Sequence, residues 1–196
     1  MDDPANPTPY AAGELDVKTE AALRDHRTDA PDGIFALRLI HDAASARAML
    51  RLVQELPLRG KKASTPFYIY ISPESIQQMQ LAGVGQHPAF GNAYELRTVL
   101  HQPPGLVGPP WNPWTGRNPD VDQQIQQLEA LADMLRFTLF IPACSMVQGE
   151  LTAFCHAVSA AAPLQTDTRL FHLQTLYAGK GFRKYEVPAP TYSAST

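Results

Sequence analysis

The chain has 196 residues and a mass of 21.5 kDa; 44% of its residues are hydrophobic and 18% are charged. That is enough for one domain with a sizeable core, and the hydrophobic share argues against wholesale disorder. The net charge of −3 and the pI near 6.0 argue against a general nucleic-acid binder, which needs clustered Lys and Arg.

The sequence carries no signal for a membrane, for secretion or for a bound metal. No stretch approaches the roughly 20 apolar residues of a transmembrane helix, and residues 1–7 contain neither a basic nor an apolar signal region. Cys144 and Cys155 fit neither a disulfide framework nor a zinc site, and no histidine pair or carboxylate cluster suggests a metal. We expect a protein of the cytoplasm or of an intracellular assembly, without metal or cofactor and not secreted.

The first predicted segment, residues 1–33, is an N-terminal arm. Its four prolines bracket a stretch over 14–25 that is compatible with a short helix. Proline fixes φ and removes a backbone donor, which suits an extended segment lying on a surface. Residues 188–196 form a second such segment, a C-terminal tail, so that residues 34–187 are predicted to make a single α+β domain.

Four apolar runs alternate with period two, as strands do. They lie at residues 34–40, 67–71, 135–141 and 170–177. A hairpin turn at 178–181 then leads into a closing strand at 182–187.

Helical spacing and capping residues mark the segments between these strands. Helices are predicted over 42–56, after Ser72-Pro73-Glu74, over 89–101, from Asp120, and from Ser145. The last two resemble capping boxes, because a glutamine follows each capping residue by three positions.

The order of elements predicts β-α-β, a helical and Pro-rich insertion over 72–134, a second β-α-β and a hairpin. Alternation leaves one face of each strand half polar, which favours a split β-α-β (ferredoxin-like) plait with helices on one side. The alternative is a three-layer α/β fold, whose buried parallel strands read as continuous apolar runs.

The plait has an open sheet face that can carry a binding site. That face would collect Arg38, Tyr68, Tyr70, Arg136 and His172. Aromatic and arginine side chains together can stack planar ligands or unpaired bases, and they are also enriched in protein interfaces. Packing within or between chains, small-molecule binding and RNA binding therefore all stay open for this face.

Residues 103–116, which we call the Pro/Trp loop, contain both tryptophans and five prolines. Such a run is predicted to be a loop, neither a helix nor a central strand. Trp111 and Trp114 either pin this loop onto its own domain, or anchor another subunit or line a ligand cleft.

Cys144 is the one candidate nucleophile. It precedes the helix predicted from Ser145, and a helix N-terminus can lower the pKa of a thiol. The sequence assigns no histidine to it as a base, and an unreactive cysteine packed as a small apolar group is the ordinary alternative.

Low charge, proline-bracketed ends, Gln-rich helices and the lack of a catalytic set favour a non-catalytic structural or assembly subunit over an enzyme. Its partners would be other protein subunits, identical or different, as in a capsid-type assembly, with nucleic acid disfavoured. One alternative is a small-molecule-binding protein or enzyme that uses the open face through Arg38, Arg136 and His172. Another is single-stranded RNA binding through Tyr68 and Tyr70. No motif identifies a family.

Overall fold

A single β-sheet dominates the computed structural model, which describes residues 14–25, 33–110, 113–160, 164–166 and 182–183. Its strands are β1 (Glu14–Asp25), β2 (Gly33–Asp42), β3 (Arg47–Leu56), β4 (Thr65–Ile71), β5 (Ile76–His87), β6 (Gly91–Leu100), β7 (Gly105–Gly108), β8 (Arg136–Pro142), β9 (Gln165–Thr166) and β10 (Phe182–Arg183). The described helices are α1 (Pro119–Leu131), α2 (Gln148–Val158) and a short 3-10 helix (Pro73–Ser75).

The strand order is β10-β7-β4-β3-β2-β1-β8-β6-β5, with β9 beside β3. Among the described pairings only β9 with β3 is parallel, and all others are antiparallel. The predicted ferredoxin-like plait and the three-layer α/β alternative are therefore both wrong. Either fold needs helices between successive core strands, whereas β1 to β4 are consecutive antiparallel neighbours.

Three segments predicted as helices are strands β3, β5 and β6. In β3, Leu50 and Leu52 face the main core while Met49 is buried on the opposite side of the sheet. Apolar residues on both faces of a strand can mimic the spacing of a helix. The helix start predicted at Ser72-Pro73-Glu74 corresponds only to the 3-10 helix Pro73–Ser75. Strand β5 begins at the next residue, Ile76.

Residues 14–25, predicted as a helix-compatible part of the arm, form strand β1 inside the sheet, between β2 and β8. Residues 1–13 of the predicted arm, the tail at 188–196 and the predicted strand at 170–177 lie outside the described residues. Of the predicted closing strand, residues 182–183 form β10 beside β7.

The other three predicted strands are confirmed as β2, β4 and β8, and the helices predicted from Asp120 and Ser145 correspond to α1 and α2. Their caps differ from the prediction. The Asn118 side chain caps α1 by accepting the Val121 N–H at 3.0 Å. The Ser145 hydroxyl donates to the Pro142 carbonyl at 2.7 Å, and α2 begins only at Gln148.

The main core lies between one face of the sheet and the two α-helices. The helices contribute the buried residues Val121, Ile125, Leu128, Leu131, Leu151, Phe154, Cys155 and Val158. Leu37, Leu52, Ile69 and Leu139 are among the sheet residues of the same core. Each large apolar side chain buried here stabilises the fold by about 1.5–3 kcal/mol.

We call the other side of the sheet the opposite face, and it carries two smaller apolar clusters. One contains Ile40, Met49, Tyr70 and Val107, with Tyr68 packed beside them. The other contains Ala22, Ala93 and Phe140, with Phe90 from the β5–β6 turn packed beside them.

The Pro/Trp loop contains strand β7, so the prediction that this run holds no central strand is wrong. β7 pairs with β4 on one side and β10 on the other. None of its four residues is a proline, and Pro104 and Pro109 lie just outside the strand. The ladder hydrogen bonds of β7 are therefore not interrupted.

Candidate functional site: an open strand edge and a cleft within the sheet

A cross-strand row of polar side chains lies on the opposite face. Lys18 of β1 is paired with Arg38 of β2, Arg38 with Arg51 of β3, and Arg51 with Tyr70 of β4. Like charges directly opposite each other destabilise a sheet. The three cations of this row therefore need local compensation.

Asp16 compensates Arg38 with a two-point ion pair. Arg38 Nε donates to Asp16 Oδ1 at 3.2 Å, and Arg38 Nη2 donates to Asp16 Oδ2 at 3.0 Å. The hydrogen bond from Arg38 lowers the pKa of Asp16, and the same bond raises the pKa of Arg38. Both side chains are partly exposed, so solvent screening keeps the contribution of the pair to stability below about 1 kcal/mol.

Arg51 is compensated by aromatic rings. Its guanidinium carbon lies 5.7 Å from the centroid of the Tyr68 ring, and Tyr68 is stacked on Tyr70 with 6.1 Å between ring centroids. Burial raises the pKa of the Tyr70 hydroxyl, while the charge of Arg51 acts in the other direction. Because Tyr70 is only 2% exposed, its ring offers no free face to a base or a planar ligand.

Arg38, Tyr68 and Tyr70 thus share one face, as the sequence predicted. Arg136 is on the same face but far from them. Thr138, two residues beyond Arg136, is paired with Arg24, which is six residues further along β1 than Lys18 and therefore roughly 20 Å away. His172 and Trp111 lie outside the described residues.

Trp114 pins the Pro/Trp loop onto its own domain, which is the first of the two roles considered for it. The side chain is 7% exposed, and its indole N–H donates to the Pro109 carbonyl at 3.2 Å. Its ring meets the ring of Phe67 edge to face, with 5.0 Å between centroids.

Among the described residues, neither cysteine has the surroundings of an activated nucleophile. Cys144 is exposed in the turn after β8, and α2 begins beyond it at Gln148. Burial raises the pKa of the Cys155 thiol to about 11. The part of the chain that the structure describes contains no group of three or more His, Cys, Asp or Glu side chains that could hold a metal ion.

A cleft of about 630 Å³, which no sequence motif predicts, opens where β2 and β3 separate. Pairing between these strands ends at Ala36 with Val53. Beyond that point β2 stays paired with β1 as far as Gly33, and β3 stays paired with β4 as far as Leu56. The two strands therefore diverge over residues 33–35 and 54–56.

The lining of this cleft, called the β2–β3 cleft below, combines five acidic or amide residues with six apolar or glycine residues, which are Gly33, Ile34, Phe35, Ala36, Val53 and Leu56. Its polar residues are Glu20, Gln54, Glu55, Gln124 and Gln127. None of its lining residues is basic, and neither glutamate has a hydrogen bond or an ion pair within the described residues. The glutamine run of α1 was its only trace in the sequence, because the separation of two strands leaves no local sequence mark.

Strand β5 forms one end of the sheet, and α2 covers only its first half. The Ser159 hydroxyl, just after α2, accepts the Met79 N–H at 2.9 Å and donates to the Met79 carbonyl at 3.1 Å. The Leu81 backbone is close enough to the buried thiol of Cys155 to act against the rise in its pKa. Residues 82–86 have no such cover from the described residues, and Val84 among them is 52% exposed.

Comparison of the chain with protein-family models, curated proteins and solved structures finds no match. Within the described residues, no helix is long and apolar enough to cross a membrane. The geometry of the row, the cleft and the β5 edge is therefore the basis for assigning a function.

Proposed function

We propose that this protein is a non-catalytic assembly subunit that pairs with a second copy of itself through residues 82–86 of β5. The observation that carries the proposal is the half of this edge strand that no described residue covers. β5 has twelve residues and contains no Asp, Glu, Lys or Arg.

An edge strand presents unpaired N–H and C=O groups to any other strand that approaches. Proteins block such edges with lysine, proline, bulges or a covering helix. In β5 the covering element is the end of α2, where Ser159 binds the backbone of Met79, and an irregular register between Leu81 and Gly83 follows. From Ala82 to Gln86 neither a charge nor a proline opposes pairing with another chain.

A second copy is the partner that this segment suits best. Antiparallel pairing of one segment with itself gives a two-fold interface, in which the same residues lie on both sides. A charged strand would repel its copy there, but these residues carry no charge, and Gly83 and Gly85 add no side-chain bulk. Val84 would contribute apolar area on both sides of the junction.

The row of Lys18, Arg38 and Arg51 gives less support to ligand or RNA binding on the opposite face. Asp16 already neutralises Arg38, and Arg51 lies over the ring of Tyr68. These contacts favour a role for the row in holding neighbouring strands together rather than in binding a partner.

The test is the solution mass, measured by light scattering behind a sizing column over a hundredfold range of concentration. We expect the wild-type protein to form a dimer, because a two-fold interface closes at two copies, and Val84→Lys to be a 21.5 kDa monomer. The matched control is Val147→Lys, which makes the same change at another exposed valine and should keep the wild-type mass. A wild-type monomer at every concentration, or a Val84→Lys oligomer, contradicts the proposal.

A further inference from the structure

We propose that the β2–β3 cleft binds an extended peptide segment of a partner protein, with basic side chains at alternate positions. The segment enters as a short strand between β2 and β3. This site is separate from the β5 edge, and either proposal can fail without the other.

The backbone on the two sides of the cleft can pair with an added strand. In an antiparallel sheet, every second residue directs its N–H and C=O toward a given neighbouring strand. Residues 33–35 and 54–56 have lost β3 and β2 as neighbours. One or two residues on each side therefore direct backbone polar groups into the cleft, where an extended backbone can satisfy them.

The size of the cleft suits a short extended segment. Three residues of strand span about 10 Å, which sets the length of the segment at three to five residues. The volume of about 630 Å³ is within the range of roughly 300–1,000 Å³ that is typical of ligand pockets.

The polar side chains that line the cleft lie on both sides of the sheet. Glu20 and Glu55 belong to the opposite face, since Glu20 is paired with Ala36, and Glu55 is two residues from Val53. Gln54 faces the side of the sheet on which α1 packs. Successive side chains of an inserted strand point to these two sides in turn.

These two sides predict an alternating recognition pattern. Lys or Arg would point to the opposite face and meet the two glutamates, with its aliphatic stem beside Ile34, which is 39% exposed. A hydroxyl or amide residue would point to the helix side and meet Gln54, Gln124 and Gln127. Within the described residues the two carboxylates have no ion-pair partner and no lining residue is basic, so the cleft is complementary to a cationic segment.

The probe is a fluorescein-labelled acetyl-Lys-Thr-Lys-Thr-Lys-amide peptide, titrated with the full-length protein and followed by fluorescence anisotropy. We expect saturable binding by the wild-type protein. The double substitution Glu20→Gln with Glu55→Gln should weaken it by about tenfold or more and reduce its dependence on salt. The control Glu150→Gln makes the same change at an exposed glutamate on α2 and should bind as the wild type does.

Two further peptides separate strand insertion from simple attraction of charge. A peptide with glutamate in place of lysine should not bind. A peptide with the same lysines but N-methylated backbone amides should bind at least about tenfold more weakly, because it cannot donate ladder hydrogen bonds.

Three results would overturn the proposal. The first is no saturable binding up to about 1 mM, and the second is equal affinity of the N-methylated peptide. The third is unchanged affinity of the double variant, whose fold is checked by its unfolding transition. We expect Glu55→Gln and the wild type to have the same solution mass. A failure of the cleft proposal can therefore be told apart from a failure of the β5 proposal.

Discussion

Gly108 lies beneath the two aromatic rings that hold the Pro/Trp loop in place. A Cβ atom added at this position would be 2.6 Å from Cζ2 of Trp114 and 2.9 Å from Cε1 of Phe67. Both rings are buried, so neither can move away without disturbing the core. The contact explains why the four residues of β7 end in glycine.

We expect Gly108→Ala to lower the free energy of unfolding by about 1–3 kcal/mol, the usual cost of overpacking a core. Urea denaturation followed by tryptophan fluorescence measures the change. Gly85→Ala is the matched control, because an added Cβ there meets nothing within 4 Å. Both substitutions are made in the Val84→Lys background, so that pairing through β5 does not contribute, and Gly85→Ala should change stability by less than about 1 kcal/mol. Equal effects of the two substitutions would show that the rings do not constrain residue 108.

His41 gives the protein a pH-dependent stability of known sign. The side chain is 9% exposed and meets the ring of Phe154 edge to face, with 5.8 Å between centroids. Burial lowers the pKa of His41 below its ordinary value of 6.5, while the charge of Asp42 opposes that shift. The unfolded chain therefore takes up a proton at a higher pH than the folded protein does.

We expect this difference to destabilise the fold as the pH falls from about 7 to 5. The effect begins near the unfolded pKa and grows until the pH reaches the lowered pKa of the folded state. Replacing His41 by Leu removes the titrating group, so the unfolding free energy of His41→Leu should fall less than that of wild type over this range. Parallel pH profiles of the two proteins in urea denaturation would contradict the assignment.

At the scale of elements, the sequence predicts the strands with one polar face and fails for those that depart from that pattern. Phe35, Leu37 and Leu39 alternate with polar or small residues, which is why the pattern predicts β2 correctly. The helix predicted at β3 is wrong because Met49 is buried on the opposite face, which adds apolar residues out of phase with the strand period. Whether that face is covered is decided by distant parts of the chain, and no local window contains this information.

The same limit on prediction from sequence applies to the candidate sites. Residues that share a predicted strand face, such as Arg38 with Tyr68, were placed together correctly, because alternation along a strand is local. The separation of Arg136 from them depends on strand order, which composition and periodicity do not determine. The β2–β3 cleft depends on where a pairing ends, and that property belongs to two strands together rather than to either sequence.

One hydroxyl group joins the end of α2 to the backbone of β5. Ser159 is the only described side chain hydrogen-bonded to both backbone groups of Met79. The junction therefore joins the helix to the strand at the point where the edge would otherwise be open.

We expect Ser159→Ala to cost about 1 kcal/mol of stability and to increase amide hydrogen exchange at Met79. Exchange measured by mass spectrometry or NMR gives the local effect. Ser145→Ala serves as the control, since it removes a hydroxyl hydrogen bond to the Pro142 carbonyl but neither of the two bonds to Met79 of β5. Unchanged protection of Met79 in Ser159→Ala would mean that another group covers the edge there.

At the scale of the whole molecule, the two proposed contacts lie well apart. Strands β1, β8 and β6 separate β2 from β5 in the sheet. With roughly 4.8 Å between neighbouring strands, β2 and β5 are about 19 Å apart across the sheet. A subunit could therefore pair through β5 and still hold a peptide in the β2–β3 cleft.

The central position of β1 has a consequence for how the chain reaches this structure. β1 to β4 pair with their nearest neighbours along the chain, but Ala22 must also meet Phe140 of β8. Closing so long a loop is entropically costly, and contacts of this kind slow folding. During synthesis the first four strands can assemble long before β8 leaves the ribosome. Until then one side of β1 has no partner, and a nascent chain at this stage would be a natural client for a chaperone.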